Sequence, residues 1–96
     1  MDDMISDAEI LQQFNIEATK EHAFTQLVHR DQKRIYYFIR RMVIDHEDAN
    51  DLTQEVFINV WQYLSEFRAE STITHWIYKI AVNKIYSFLE KKKRKY

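Results

Sequence analysis

The chain has 96 residues, enough for one domain with a modest core and too few for two. A charged content of 30% beside 46% hydrophobic excludes a disordered chain, and the total absence of Gly, Pro and Cys excludes a disulfide framework, a thiolate metal site and a phosphate-cradling glycine loop. The net charge of −1 conceals a split: residues 1–66 carry 6 Lys/Arg against 13 Asp/Glu, a balance of −7, and residues 67–96 carry 8 against 2, a balance of +6.

The start, MDDMISDAEI, is acidic and lacks the apolar run of a secretory signal, and no stretch approaches the ~20 apolar residues of a membrane span. Without glycine or proline, tight turns are hard to build, so long helices joined by short polar loops suit the chain. The first segment, about 7–14 (DAEILQQF), is short, with Asp7 placed to cap it. The second, about 18–29, sets Ala23, Phe24, Leu27 and Val28 on one side. The third, about 31–44, repeats Ile35, Phe38, Ile39, Met42 and Val43 at the spacing of an amphipathic helix. Its opposite side carries Lys33, Arg34, Arg40 and Arg41 among Tyr36 and Tyr37, which reads equally as a solvated face or as part of a phosphate-contacting surface.

A polar break, IDHEDAN, opens the fourth segment, about 46–66, with Asp45 as N-cap and Asp48 in the first turn. Ala49, Leu52, Val56, Val60, Tyr63 and Leu64 form its inward stripe. Its outer face gathers Asp51, Gln54, Glu55, Ile58 and Gln62, flanked by Phe57 and Trp61. Acids early in a helix serve its dipole, and single exposed apolar residues are common. An isoleucine ringed by acids and amides also suits a protein partner with a basic, partly apolar surface.

The break FRAEST offers Ser71 or Thr72 as cap for a last helix, about 73–94, whose cationic end suits a helix C-terminus. Ile77, Ala81, Ile85 and Phe88 form its core stripe. A second stripe holds Trp76, Lys79 and Asn83, then Tyr86 or Ser87. Such a mixture reads either as a packed tryptophan beside solvated polar residues or as a nucleic-acid surface. In the latter, the lysine pairs with phosphate, the amide reads a base edge and the aromatic stacks. The basic run Lys91–Lys95 strengthens the second reading only slightly. The expected architecture is an all-α bundle of four to five helices. His22, His29, His46 and His75 are scattered; His22 and His29 sit seven residues apart, roughly 10 Å of helical rise. They suggest neither a metal site nor a catalytic pair, so an enzyme is not expected.

The stretch DANDLTQEVFINVWQYLSEFRAESTITHWIYKIAVNKIYSFLEKKKRK closely resembles region 2 of bacterial sigma factors of the extracytoplasmic-function group. The family pattern D-x-x-D-L-x-Q-E-x-F leads to F-R-x-x-S-x-x-x-x-W-[LI]-Y-[RK]-I-A-x-N and a basic end. The likeness extends more loosely through AFTQLVHRDQKRIYYFIRRMV. It implies a single region 2 domain with N-terminal helices over about 7–45, a polymerase-binding helix over 46–66 and a DNA-binding loop and helix over 67–95. Asp51, Gln54 and Glu55 then contact the β′ clamp helices of RNA polymerase; Ile58 and Gln62, which the family pattern does not supply, are added to that contact from the composition of the outer face. Phe67, Arg68, Ser71 and Thr72 take an unpaired base of the promoter −10 element. Asn83 becomes the base reader at the upstream edge of that element and Lys79 and Lys84 the phosphate holders. Trp76 occupies the family's tryptophan position, on DNA or packed beneath the loop. Arg34, Arg40, Arg41 and Lys91 are further candidates for phosphate.

Implied partners are the polymerase core, promoter DNA including its single-stranded non-template strand, and an anti-sigma factor. No cofactor is implied, and the implied location is the cytoplasm. The alternative is a helical interaction module that binds polymerase or an anti-sigma factor without recognising DNA. The chain departs from the family at Ala69, where glycine is usual, at Ile44–Asp48, and at Ile73, where an aromatic is frequent and sequence preference is expected to change. The chain stops after the basic tail, so the family's second domain, region 4, is expected to be absent from it.

Overall fold

The computed structural model describes residues 4–94 as four α-helices. They are α1 (Asp7–Phe14), α2 (Lys20–Arg40), α3 (His46–Tyr63) and α4 (Ile73–Arg94), with single 3₁₀ turns at Glu17–Thr19 and Leu64–Glu66. The all-α bundle expected from the sequence is borne out. Lys95 lies outside the described residues.

Helix α1 is capped by Ser6 and not by Asp7. The Ser6 hydroxyl accepts from the Glu9 N–H at 3.2 Å while the Glu9 carboxylate accepts from the Ser6 N–H at 3.0 Å, a reciprocal capping box. Asp7 is thereby left free for a long-range task described below. The two segments expected at 18–29 and 31–44 are one continuous helix, α2, of 21 residues. Nothing between them breaks a helix, and Asp31, which looks like a polar interruption, turns inward and is fully buried. The helix stops at Arg40, whose guanidinium donates to the Val43 and Ile44 carbonyls and so satisfies the turn into α3. Helix α3 begins as expected: Asp45 accepts from the N–H groups of Glu47 and Asp48 at 2.7 and 3.3 Å.

The core is a single cluster to which every helix contributes. Ile10 and Phe14 come from α1, Ala23, Leu27, Ile35 and Ile39 from α2, Leu52, Val56 and Val60 from α3, and Ile73, Ile77, Ala81 and Ile85 from α4. Two inward assignments fail: Tyr63, the last residue of α3, is 49% exposed, and Met42, two residues beyond the end of α2, is 45% exposed. In exchange, Phe57 and Thr53 are buried, so the inward stripe of α3 is broader than its aliphatic residues suggest. The Thr53 hydroxyl donates to the Ala49 carbonyl at 2.8 Å, which removes the cost of burying it. Ile73, where the family resemblance leads one to expect an aromatic, is fully buried.

Helices α3 and α4 run antiparallel, as the ion pairs Lys84–Glu55 and Lys92–Asp48 require, each at 3.8 Å. Helices α2 and α4 run side by side in the same direction, with Arg30 beside Thr74 and Phe38 edge-on to Tyr78.

Candidate partner and nucleic-acid interfaces

Because α3 buries Leu52, Val56 and Val60, helical geometry sends Asp51, Gln54, Glu55, Ile58 and Gln62 outward together. All five are exposed, Ile58 at 56%. Beside Ile58 and Gln54 lies an open groove between α2 and α3, lined by Phe24, Val28, Phe57 and Trp61. Trp61 keeps one edge in solvent at 37% exposure while Phe14 and Phe24 pack edge-to-face on it at 5.6 and 5.2 Å. Lys20 covers the Trp61 ring from 4.8 Å. The α3 face is therefore an acidic and amide rim around an apolar centre.

The second face starts at the loop 67–72 and follows α4. Phe67 is half-buried and tilts onto Trp76 at 5.4 Å, so Trp76 packs beneath the loop. Arg68 and Thr72 are exposed and Ser71 partly so. The cap of α4 is Thr72, whose hydroxyl accepts from the His75 N–H at 3.1 Å; the Ser71 hydroxyl instead donates to the Thr72 carbonyl at 3.2 Å. Ala69, where the family usually has glycine, adopts φ 59°, and it is the one described residue with a positive φ. A Cβ in this left-handed region costs about 1–2 kcal/mol, a cost that a glycine at this position would not carry. Lys79 and Asn83 stand exposed on one face of α4. Lys84 is partly buried and directed at Glu55, which joins the two faces along the α3–α4 seam.

The other suggested phosphate contacts fare differently. Arg40 is engaged by its own chain's carbonyls. Arg34 is about half exposed, with its Nε 3.7 Å from Asp31. Arg41 and Lys91 are exposed, on α2's end and on the last turns of α4. The four histidines do not converge, and among the described residues no group of three His, Cys, Asp or Glu side chains could hold a metal ion. No helix there is long and apolar enough to cross a membrane.

Sequence reasoning missed a cluster below the loop. Arg30 forks onto the buried Asp31 through Nε and Nη2, both at 3.0 Å, and its Nη1 reaches Asp7 at 2.9 Å. Burial opposes its charge, but the hydrogen bonds and charges of Asp31 and Asp7 outweigh that and hold the guanidinium above its ordinary pKa. A signal was present: the row 23–27–31–35–39 on α2 steps by four and is apolar except for Asp31. A carboxylate inside an apolar row, preceded by arginine, calls for a partner.

The family model for Sigma-70 region 2 matches residues 27–95. The RNA polymerase sigma-H factor of Pseudomonas aeruginosa is 40% identical over 63 residues, covering 66% of this chain and 33% of that protein. The ECF RNA polymerase sigma-E factor of Escherichia coli K12 is 36% identical over 69 residues, covering 72% and 36%. The chain thus spans about a third of the length of the curated relatives it matches. An NMR structure of an engineered region 2 of sigmaE in complex with GTAAAA matches with a TM-score of 0.81 at 27% identity, over 99% of this chain and 97% of that one. The chain belongs to the Sigma-70 region 2 family, and the resemblance to the extracytoplasmic-function group is borne out.

Proposed function

We propose that this chain is the promoter-engaging domain of a bacterial transcription initiation factor. It docks on the β′ clamp helices of RNA polymerase through Asp51, Gln54, Glu55, Ile58 and Gln62 of α3. It holds the −10 element, including the unpaired non-template strand, through Phe67, Arg68, Ser71 and Thr72 of the loop and Lys79, Asn83 and Lys84 of α4, with Trp76 as the floor beneath Phe67. Arg41 and Lys91 add phosphate contacts at longer range. The domain performs no chemical step and needs no cofactor; it acts by binding. This role places it in the cytoplasm, where an anti-sigma factor competing for either face is the natural regulator.

The observation that carries this reading is the presence of two exposed faces of different chemistry on adjacent helices, one acidic around Ile58 and one bearing Lys79 and Asn83 below a short loop. That an engineered region 2 of sigmaE was solved in complex with GTAAAA supports a nucleic-acid ligand for this domain. A flipped base costs a few kcal/mol, which a basic surface and a small pocket can offset. The test is capture of the chain on immobilised β′ clamp helices. Combined Asp51→Ala, Gln54→Ala and Glu55→Ala is expected to abolish capture without lowering thermal stability; undiminished capture rejects the α3 face.

A further inference from the structure

The loop 67–72 is short, contains no glycine and holds Ala69 in a left-handed conformation at a steric cost. Strain of this kind persists only where the surroundings over-determine the backbone. Local bonds alone do not do this: Thr72 caps one amide of α4, and the Ser71 bond spans a single residue. The remaining constraint comes from far away in sequence. The Asp7 carboxylate on α1 accepts the N–H of Ile73, the first residue of α4, at 2.9 Å, across a separation of 66 residues. Asp7 is held in place by Arg30, and Arg30 by the fully buried Asp31. The Thr74 hydroxyl closes the circuit, donating to Asp31 at 2.8 Å and accepting from Arg30 Nη2 at 3.2 Å. Arg30 also donates to the Ile5 carbonyl at 3.0 Å, which fastens the segment leading into α1.

We propose that Asp7, Arg30, Asp31 and Thr74 form a positioning cluster that fixes the first turn of α4 and, through it, the conformation of the loop 67–72. Ionised groups make this cluster strong, because hydrogen bonds to charges are shorter and stronger than neutral ones. Its position is also informative. Three helices otherwise joined by apolar contacts meet in a directional lock directly behind the loop, where apolar packing alone would permit rotation about α4's axis. None of the four belongs to the residues proposed to hold the strand, so they act through Ile73 and the loop. Their link to strand recognition rests on the function proposed above; their effect on the loop itself does not.

The full chain with Thr74→Val, Thr74→Ser or Asp7→Ala tests this with two readouts. In the free protein, amide hydrogen exchange at Ile73 is expected to accelerate about tenfold in Thr74→Val and more in Asp7→Ala, from loss of a charge-assisted hydrogen bond, with Thr74→Ser close to the parent. Thr74→Val leaves the Arg30–Asp31 fork in place, so the fold is retained. With single-stranded oligonucleotides, Thr74→Val should lower the preference for an A/T-rich strand over its complement about tenfold. The salt dependence should stay unchanged and Thr74→Ser should restore the preference. Unaltered Ile73 exchange in both Thr74→Val and Asp7→Ala overturns the proposal. So does a loss of affinity shared equally by all strands and not rescued by serine, which is the mark of a merely structural role. If the parent shows no strand preference while Ile73 exchange still responds, the positioning cluster stands and the proposed nucleic-acid function falls.

Discussion

Ala69 holds a left-handed backbone conformation, at φ 59°, without being glycine. Ala69→Gly removes the Cβ clash, worth about 1–2 kcal/mol, and loses part of that to the greater freedom of glycine in the unfolded chain. The expected net is a stabilisation of about 0.5–1 kcal/mol, read as a rise of a few degrees in the thermal midpoint. A fall in the midpoint would mean that the loop does not hold residue 69 in the left-handed region. Two carboxylates set a separate expectation for pH. Backbone hydrogen bonds from Ser6 to Glu9, and from Glu47 and then Asp48 to Asp45, lower both pKa values below their ordinary 4.5 and 3.8. A carboxylate with a lowered folded-state pKa contributes stability that is complete above its ordinary value and is lost as pH falls through that value toward the lowered one. Asp45→Asn keeps an effective cap but cannot titrate. Urea midpoints measured from about pH 6 to 3 should therefore fall less steeply in Asp45→Asn than in the parent, and parallel slopes would contradict the cap.

At the scale of elements, the two sides of α3 and α4 make opposite predictions. Ile77→Ala in α4 opens a cavity in a fully buried site and is expected to cost about 2–5 kcal/mol in chemical denaturation. Ile58→Ala on the exposed face of α3 should change stability by less than about 0.5 kcal/mol. It should nevertheless weaken capture on the β′ clamp helices about tenfold, as truncation of an apolar anchor does. How far the elements were legible follows from the same contrast. The stripes Leu52–Val56–Val60 and Ile77–Ala81–Ile85 are uninterrupted aliphatic series, and periodicity located them correctly. The length of α2 was legible only in part: the four-step row 23–27–31–35–39 places Asp31 inward, but its partner Thr74 lies 43 residues away and shows only in the fold. Asp7 was misread as a local cap for the same reason: its amide partner, Ile73, belongs to the other end of the chain. Local pattern locates helices, whereas long-range polar contacts that fix their ends require the fold.

At the scale of the molecule, the charge split becomes a division of surfaces. The acidic face of α3 and the basic run of α4 lie on neighbouring antiparallel helices, joined by Lys84–Glu55 and Lys92–Asp48. Surface pairs of this length contribute about 0–1 kcal/mol each, so they align the faces without locking them and leave both open to partners. Phosphate contacts from Arg68, Lys79 and Lys84 would displace counterions from a single strand, each adding a slope of about −0.7 to the logarithmic salt dependence. Replacing Lys79 with alanine is expected to reduce that slope by about this amount while leaving the order of strand preference unchanged.

The most direct test titrates the intact chain with fluorescently labelled single strands, a panel of A/T-rich six-nucleotide sequences that includes GTAAAA and the complement of each, over a series of salt concentrations. Promoter-strand recognition by the loop and α4 predicts tighter binding of at least one such strand than of its complement, and affinity that falls steadily with salt. Equal affinity for every strand, or binding indifferent to salt, would contradict it.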